Sequence, residues 1–205
     1  MDQKEQQAAF MSALVTEHFV LQTATSTTVS ESAARASLYV FSLSSSLVAM
    51  GFASQSRNAF VPFVATVLPA LFVLGVFTVV RLVETGVENA HFLVGMAQIR
   101  SYYRTIAPDS GEYFSARGGR WPEATLLAAR RGPFFELFTT AAMVGFINSI
   151  VAGAGIALLV ANLLGRNQTL VAVLVGVAVT LAVMAGVVAY QRWRYGVIEQ
   201  MVQPG

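Results

Sequence analysis

Long apolar stretches separated by single charged residues dominate the chain. Residues 36–56 lie between Arg35 and Arg57, 58–80 between Arg57 and Arg81, 137–165 between Glu136 and Arg166, and 167–191 between Arg166 and Arg192. None of the four stretches holds an acidic or basic side chain. A helix needs about 20 apolar residues to cross a hydrocarbon core about 30 Å thick, and each stretch is long enough. An ionised group at the bilayer centre costs several kcal/mol, so a charge-free window is the most direct sign of a span. Barrel strands alternate polar and apolar positions; the run Leu170 to Val179 does not. The pattern predicts an all-α integral membrane protein with four transmembrane helices, at 36–56, 58–80, 137–163 and 168–191. The first is the least apolar, with Ser42, Ser44, Ser45, Ser46, Ser54 and Ser56 inside it.

Between the windows the pattern becomes helical and amphipathic. Residues 4–35 carry no Pro or Gly and extend the first span as one helix, with Phe10, Ala13, Leu14, Leu21 and Ala24 on one stripe. Residues 81–107 extend the second, with Phe92, Met96, Ile99 and Tyr103 aligned, until Pro108 opens a Pro-Asp-Ser-Gly turn. The two extensions are similar in length and predict an antiparallel hairpin outside the membrane. Its weakest stretch is Thr23 to Ser32, rich in poor helix formers, where a break is expected if anywhere. Residues 108–133 read as a loop, with a short helix over Trp121 to Arg131 at the membrane surface, and 192–205 as a tail. The whole chain, 1–205, is then a single membrane domain.

In that hairpin, paired residue numbers sum to about 117, from helix geometry. Arg35 and Arg81 then lie at similar depth, and acids must separate them. The expected contacts are Arg35 with Glu84 or Glu88, Glu31 with Arg81, and Glu17 near Arg100. Glu31, Arg35, Arg81, Glu84 and Glu88 form a boundary charge cluster.

Composition agrees with a surface that largely avoids water. Hydrophobic residues make up 55% of the chain and charged ones 12%, against about 25% charged in soluble domains. All 13 basic residues except Arg57 and Arg166 fall on the side that would hold both termini. The positive-inside rule makes that side cytoplasmic, in the inner (plasma) membrane. The polar opening Met1 to Gln7 lacks a basic n-region, so no cleavable signal peptide is expected. Arg117, Arg120, Arg130 and Arg131 suit anionic lipid headgroups. A net charge of +2 with no basic groove argues against nucleic acid.

Candidate chemistry is sparse. There is no Cys, and no Gly-x-Ser-x-Gly, Walker or His-Glu-x-x-His motif. Glu84 and Glu88 are spaced i,i+4, and Glu88-x-x-His91 has the spacing of carboxylate-bridged di-metal bundles. The second Glu-x-x-His that such a centre needs is missing, so no metal or other cofactor is expected. If one binds, the Glu84/Glu88/His91 face holds it. Without an intramembrane acid or histidine, proton-coupled transport is disfavoured as well.

Packing and self-association are better supported. Ala141, Gly145, Ser149, Gly153, Ala157 and Ala161 recur every four residues, and Ala178, Ala182 and Gly186 repeat the interval in the last span. Small-xxx-small ridges bring helix backbones close in lipid. On the first span Ser42, Ser45, Ser46, Ala49, Ala53 and Ser56 fall within about 100° of one another, and Thr28, Glu31 and Arg35 continue the stripe outward. This face either packs within the monomer or lines a polar path shared by several copies.

The run Phe77-Thr78-Val79-Val80-Arg81-Leu82-Val83-Glu84, followed by Ile99-Arg100-Ser101-Tyr102-Tyr103-Arg104, resembles uncharacterised four-span membrane proteins of high-GC bacteria. Arg in place of Lys and an Ala/Val/Gly-rich final third agree with such a source. The resemblance implies the four-span architecture and no activity. In architecture alone the chain is similar to small membrane effectors of bacterial defence systems, although no attached sensing domain is expected. The expected function is therefore a non-enzymatic, homo-oligomeric pore, effector or scaffold, and the alternative a metal-dependent membrane enzyme or transporter.

Overall fold

A computed structural model of the chain describes residues 2–107, 139–164 and 168–202. Among the described residues there are four helices and no strand: α1 (Gln3–Ala53), α2 (Arg57–Ile106), α3 (Thr140–Leu164) and α4 (Thr169–Val202). Each holds a stretch long and apolar enough to cross a bilayer, as a multi-pass membrane protein requires. The surface helix expected over Trp121 to Arg131, its arginines and the Pro108 turn lie outside the described residues.

Local chemistry starts and stops these helices. Asp2 opens α1: its carbonyl accepts from the Gln6 N–H at 3.1 Å and its own N–H donates to Glu5 Oε2 at 3.2 Å. The Glu5 side chain thus reaches back to the Asp2 N–H, one half of a capping box. Ser54–Ser56 joins α1 to α2. The Ser54 hydroxyl donates to the Gly51 carbonyl at 2.7 Å, and the Ser56 carbonyl accepts from the Phe60 N–H at 2.9 Å, starting α2. Thr139 caps α3, its Oγ1 accepting from the Ala142 N–H at 3.1 Å.

No break occurs in the Thr/Ser-rich part of α1. Thr23, Thr27 and Thr28 donate their hydroxyls to the Phe19, Thr23 and Thr25 carbonyls of the same helix. Hydroxyls that would otherwise compete with the helix thereby join it. Pro62 and Pro69 are likewise accommodated inside α2.

Two compact units divide the chain. Of the described residues, the first takes 2–31, 85–107 and 195–202. Within it the Phe10 and Tyr102 rings meet edge to face at 5.5 Å, Leu21 packs over Gly95, and Thr28 Oγ1 lies 3.3 Å from Asn89 Oδ1. Numbers rise along α1 as they fall along α2, so the two segments run antiparallel in this unit. Leu93, Met96 and Ile99 are buried, whereas Phe10 and Ala13 of the expected α1 stripe are exposed. Val87 and Ala90 bury against Tyr195, whose hydroxyl rests where a Gly86 side chain would project.

Of the described residues, the second unit takes 32–84, 139–164 and 168–194. Its core joins Ala36 and Tyr39 of α1 to Val79, Leu82 and Val83 of α2 and to Ala141 and Val144 of α3, with Val187 and Tyr190 of α4 against them. The α3 ridge packs as its spacing predicts: Gly145 faces Val187, and Gly153 lies against Gly176 and Thr180. On α4 the expected face is wrong. Ala178, Ala182 and Gly186 are exposed and nothing lies within 4 Å of a Gly186 Cβ. Ala172, Gly176 and Thr180, a second set at the same four-residue interval, meet α3 instead or are buried.

Candidate functional site

Polar groups in the second unit gather at two places. The first lies inside the charge-free windows. Asn148 of α3, 2% exposed, accepts from the Tyr39 hydroxyl of α1 through Oδ1 at 3.2 Å. Its Nδ2 donates to the Phe72 carbonyl of α2 at 3.3 Å. Three helices thus share one amide. Gly75 makes the room, since a Cβ there would overlap the Asn148 side chain. Ser149, next along α3, is fully buried and donates to the Gly145 carbonyl at 2.7 Å. In hydrocarbon an unsatisfied amide is costly, so each bond selects the helix register that allows it.

The second cluster lies at the boundary of the α2 and α4 windows. Glu84 takes a bidentate ion pair from Arg194, with Nε to Oε1 at 2.7 Å and Nη2 to Oε2. The Tyr190 hydroxyl donates to Glu84 Oε1 at 3.0 Å. Hydrogen bonding from Arg194 holds the Glu84 carboxyl below the usual glutamate range; burial opposes this, while Tyr190 and the charges of Arg194 and Arg81 support it. The Arg194 guanidinium lies 5.6 Å from the Trp193 ring centre, and Trp193 is 6.1 Å from Tyr190. The aromatic and basic collar is thereby tied to α2 through one carboxylate.

The other expected residues distribute as follows. Arg81 contributes its charge to Glu84 from one turn away, and Arg35 is exposed on α1. In the first unit Glu31 and Glu88 line one groove together with Phe19, Val20 and Phe92. Arg100 lies near enough to His18 for its charge to act there: burial first, and then the Arg100 charge, lowers the His18 pKa. His91 is exposed and donates Nδ1–H to the Val87 carbonyl at 2.8 Å. Among the described residues no three acidic or histidine side chains converge on a point that would hold a metal ion.

The serine face of α1 is partly covered. Ser44 and Ser45 are exposed, and Ser42, Ser46, Ala49 and Ala53 are half-buried, with the Ser42 hydroxyl returned to the Leu38 carbonyl at 2.8 Å. Leu38, Phe41, Leu47, Val48 and Phe52 are exposed on the same span.

Reading for charge passes over Asn148, Tyr39 and Tyr190. The available signal is an amide, Asn148, near the middle of a charge-free window. Comparison with known proteins returns no matching family model, no matching curated protein and no matching solved structure.

Proposed function

We propose that this chain is a non-enzymatic, multi-pass protein of a bacterial inner membrane that works as a homo-oligomer, with both termini cytoplasmic. One observation carries the reading. The most apolar 18-residue window of α1 is the least apolar of the four, yet only 11% of it is buried, the same share as in α4, the most apolar, and less than the 33% in α3. Polar side chains are the ones that gain most from protein contact in lipid, because hydrocarbon offers them no partners. A second α1 packed on Ser42, Ser45, Ser46 and Ala49 supplies that contact.

Internal bonding of the remaining polar groups supports a structural rather than a chemical role. Asn148 is committed to Tyr39 and Phe72, and Glu84 to Arg194 and Tyr190. A metal-dependent enzyme or transporter at Glu84, Glu88 and His91 would have to break the Glu84 ion pair first. The oligomer acts either as a scaffold or as a narrow pore in which the serine stripe faces a shared axis, with Glu31 and Arg35 at its cytoplasmic mouth. Lys/Arg asymmetry supports the orientation.

Native mass spectrometry of the detergent-solubilised chain tests self-association. The parent is expected as a defined oligomer, and Ser46→Leu is expected to weaken it. A parent that is monomeric at all protein concentrations overturns the reading. Ion flux into liposomes, present in the parent and lost in Ser46→Leu, selects the pore over the scaffold.

A further inference from the structure

We infer that a cavity between α2, α3 and α4 in the second unit binds one acyl chain of a membrane phospholipid. The cavity measures about 870 Å³, within the range of small-molecule sites, about 300–1,000 Å³. Leu68 and Phe72 of α2, Gly155 and Leu159 of α3 and Val183 of α4 line it. Its origin lies in the small residues. Gly153 and Gly176 bring α3 and α4 into backbone contact, the Gly153 carbonyl being 2.7 Å from where a Gly176 Cβ would sit. On the adjoining face Gly155 presents no side chain towards α2, and a Cβ there would meet only Leu68, at 3.5 Å. Tight closure of one helix pair leaves the third unable to fill the gap.

The lining decides the occupant. Asn162 is the one amide among the described lining residues and is exposed, two residues before α3 ends; the others named are apolar. Water needs two to four polar partners, and walls that are mostly apolar suit a hydrocarbon chain better. Phe60, three residues after α2 begins, lines the same end as the helix termini. The cavity therefore starts at the membrane–water boundary and runs inward between apolar walls, with an amide at its rim. That matches a phospholipid, whose ester groups sit at the boundary and whose chain runs inward. Since Leu159 and Asn162 are exposed, a chain can enter sideways from the bilayer. The inference rests on these helices lying in a bilayer.

Native mass spectrometry of the full chain, extracted from membranes in mild detergent, tests it. The parent is expected to retain one phospholipid, Gly155→Phe to lose it, and Leu174→Phe, exposed on α4 outside the cavity, to keep it. A parent without bound lipid, or Gly155→Phe with lipid bound as in the parent, overturns the proposal. Dissociation of an oligomer on Gly155→Phe with no change in lipid also overturns it, because a second copy then fills the cavity. Should Gly155→Phe fail to fold, Leu159→Trp and Leu174→Trp are compared in a chain carrying Trp121→Phe and Trp193→Phe. Phospholipid brominated along its acyl chains is expected to quench Leu159→Trp at a lower mole fraction, and coincident curves overturn the proposal. Release of the parent from membranes by alkaline carbonate would defeat the bilayer reading itself, a result distinct from either failure.

Discussion

Asn148 and Gly75 occupy each other's space: a Cβ added to Gly75 would lie 2.8 Å from Asn148 Nδ2 and closer still to its Oδ1 and Cγ. The amide cannot swing away without losing Tyr39 and the Phe72 carbonyl. Gly75→Ala is therefore expected to destabilise the protein by about 1–3 kcal/mol, the usual cost of overpacking. Denaturant unfolding in detergent measures it. Adding Asn148→Ala should recover part of the loss, since residues in contact are not additive. Tyr39→Phe alone should cost less, about 0.6 kcal/mol, the average for an interhelical hydrogen bond in a membrane.

Two glycines at superficially similar sites should respond in opposite ways. Gly153 touches the Gly176 carbonyl and Thr180, while Gly186 has open space where its Cβ would be. Gly153→Ala has to push backbone from backbone and is expected to lower the melting temperature. Gly186→Ala should leave it unchanged or raise it, with up to about 1 kcal/mol available from helix propensity. Equal effects would show that α3 and α4 do not meet through Gly153.

Acid should loosen the α2–α4 contact. Because Arg194 lowers the Glu84 pKa in the folded state, the unfolded chain takes up the proton first. The stabilisation is fully present above the ordinary glutamate value, about 4.3, and is lost as pH falls through the lower folded value. Melting temperatures measured downward from pH 6 should fall in the parent more steeply than in Glu84→Gln. Side chains 30% and 26% exposed keep the effect modest.

A second acid response belongs to the first unit at higher pH. Burial and the Arg100 charge lower the His18 pKa, so folding favours the neutral ring. Its stabilising share is complete above the ordinary histidine value, about 6.5, and disappears as pH drops through the folded value. Amide exchange over residues 11–28, corrected for intrinsic pH dependence, should speed up between pH 7 and 5 in the parent. His18→Leu should abolish that acceleration; an unchanged pH response would assign it to another group.

The four spans are legible from the sequence because length and the absence of charge suffice to define a helix that can cross a bilayer. Ala141 to Ala161 likewise announces a close-packing ridge, and Gly145 and Gly153 use it. Its partner face is not legible: Ala178, Ala182, Gly186 and Ala172, Gly176, Thr180 share one periodicity, and only the rotation of α4 against α3 chooses between them. Glu84 is visible as an ionisable group just beyond a window, but Arg194, 110 residues away, becomes its partner only through packing. Asn148 is visible as an amide in an apolar run, yet nothing local points it at Tyr39 and the Phe72 carbonyl. Which segments can avoid water is already written in their composition, because transfer from water to hydrocarbon depends on composition over a helix length. Tertiary structure decided which polar groups meet and where a cavity remains, because those depend on helix rotation and separation, set by the joint packing of side chains far apart in the chain.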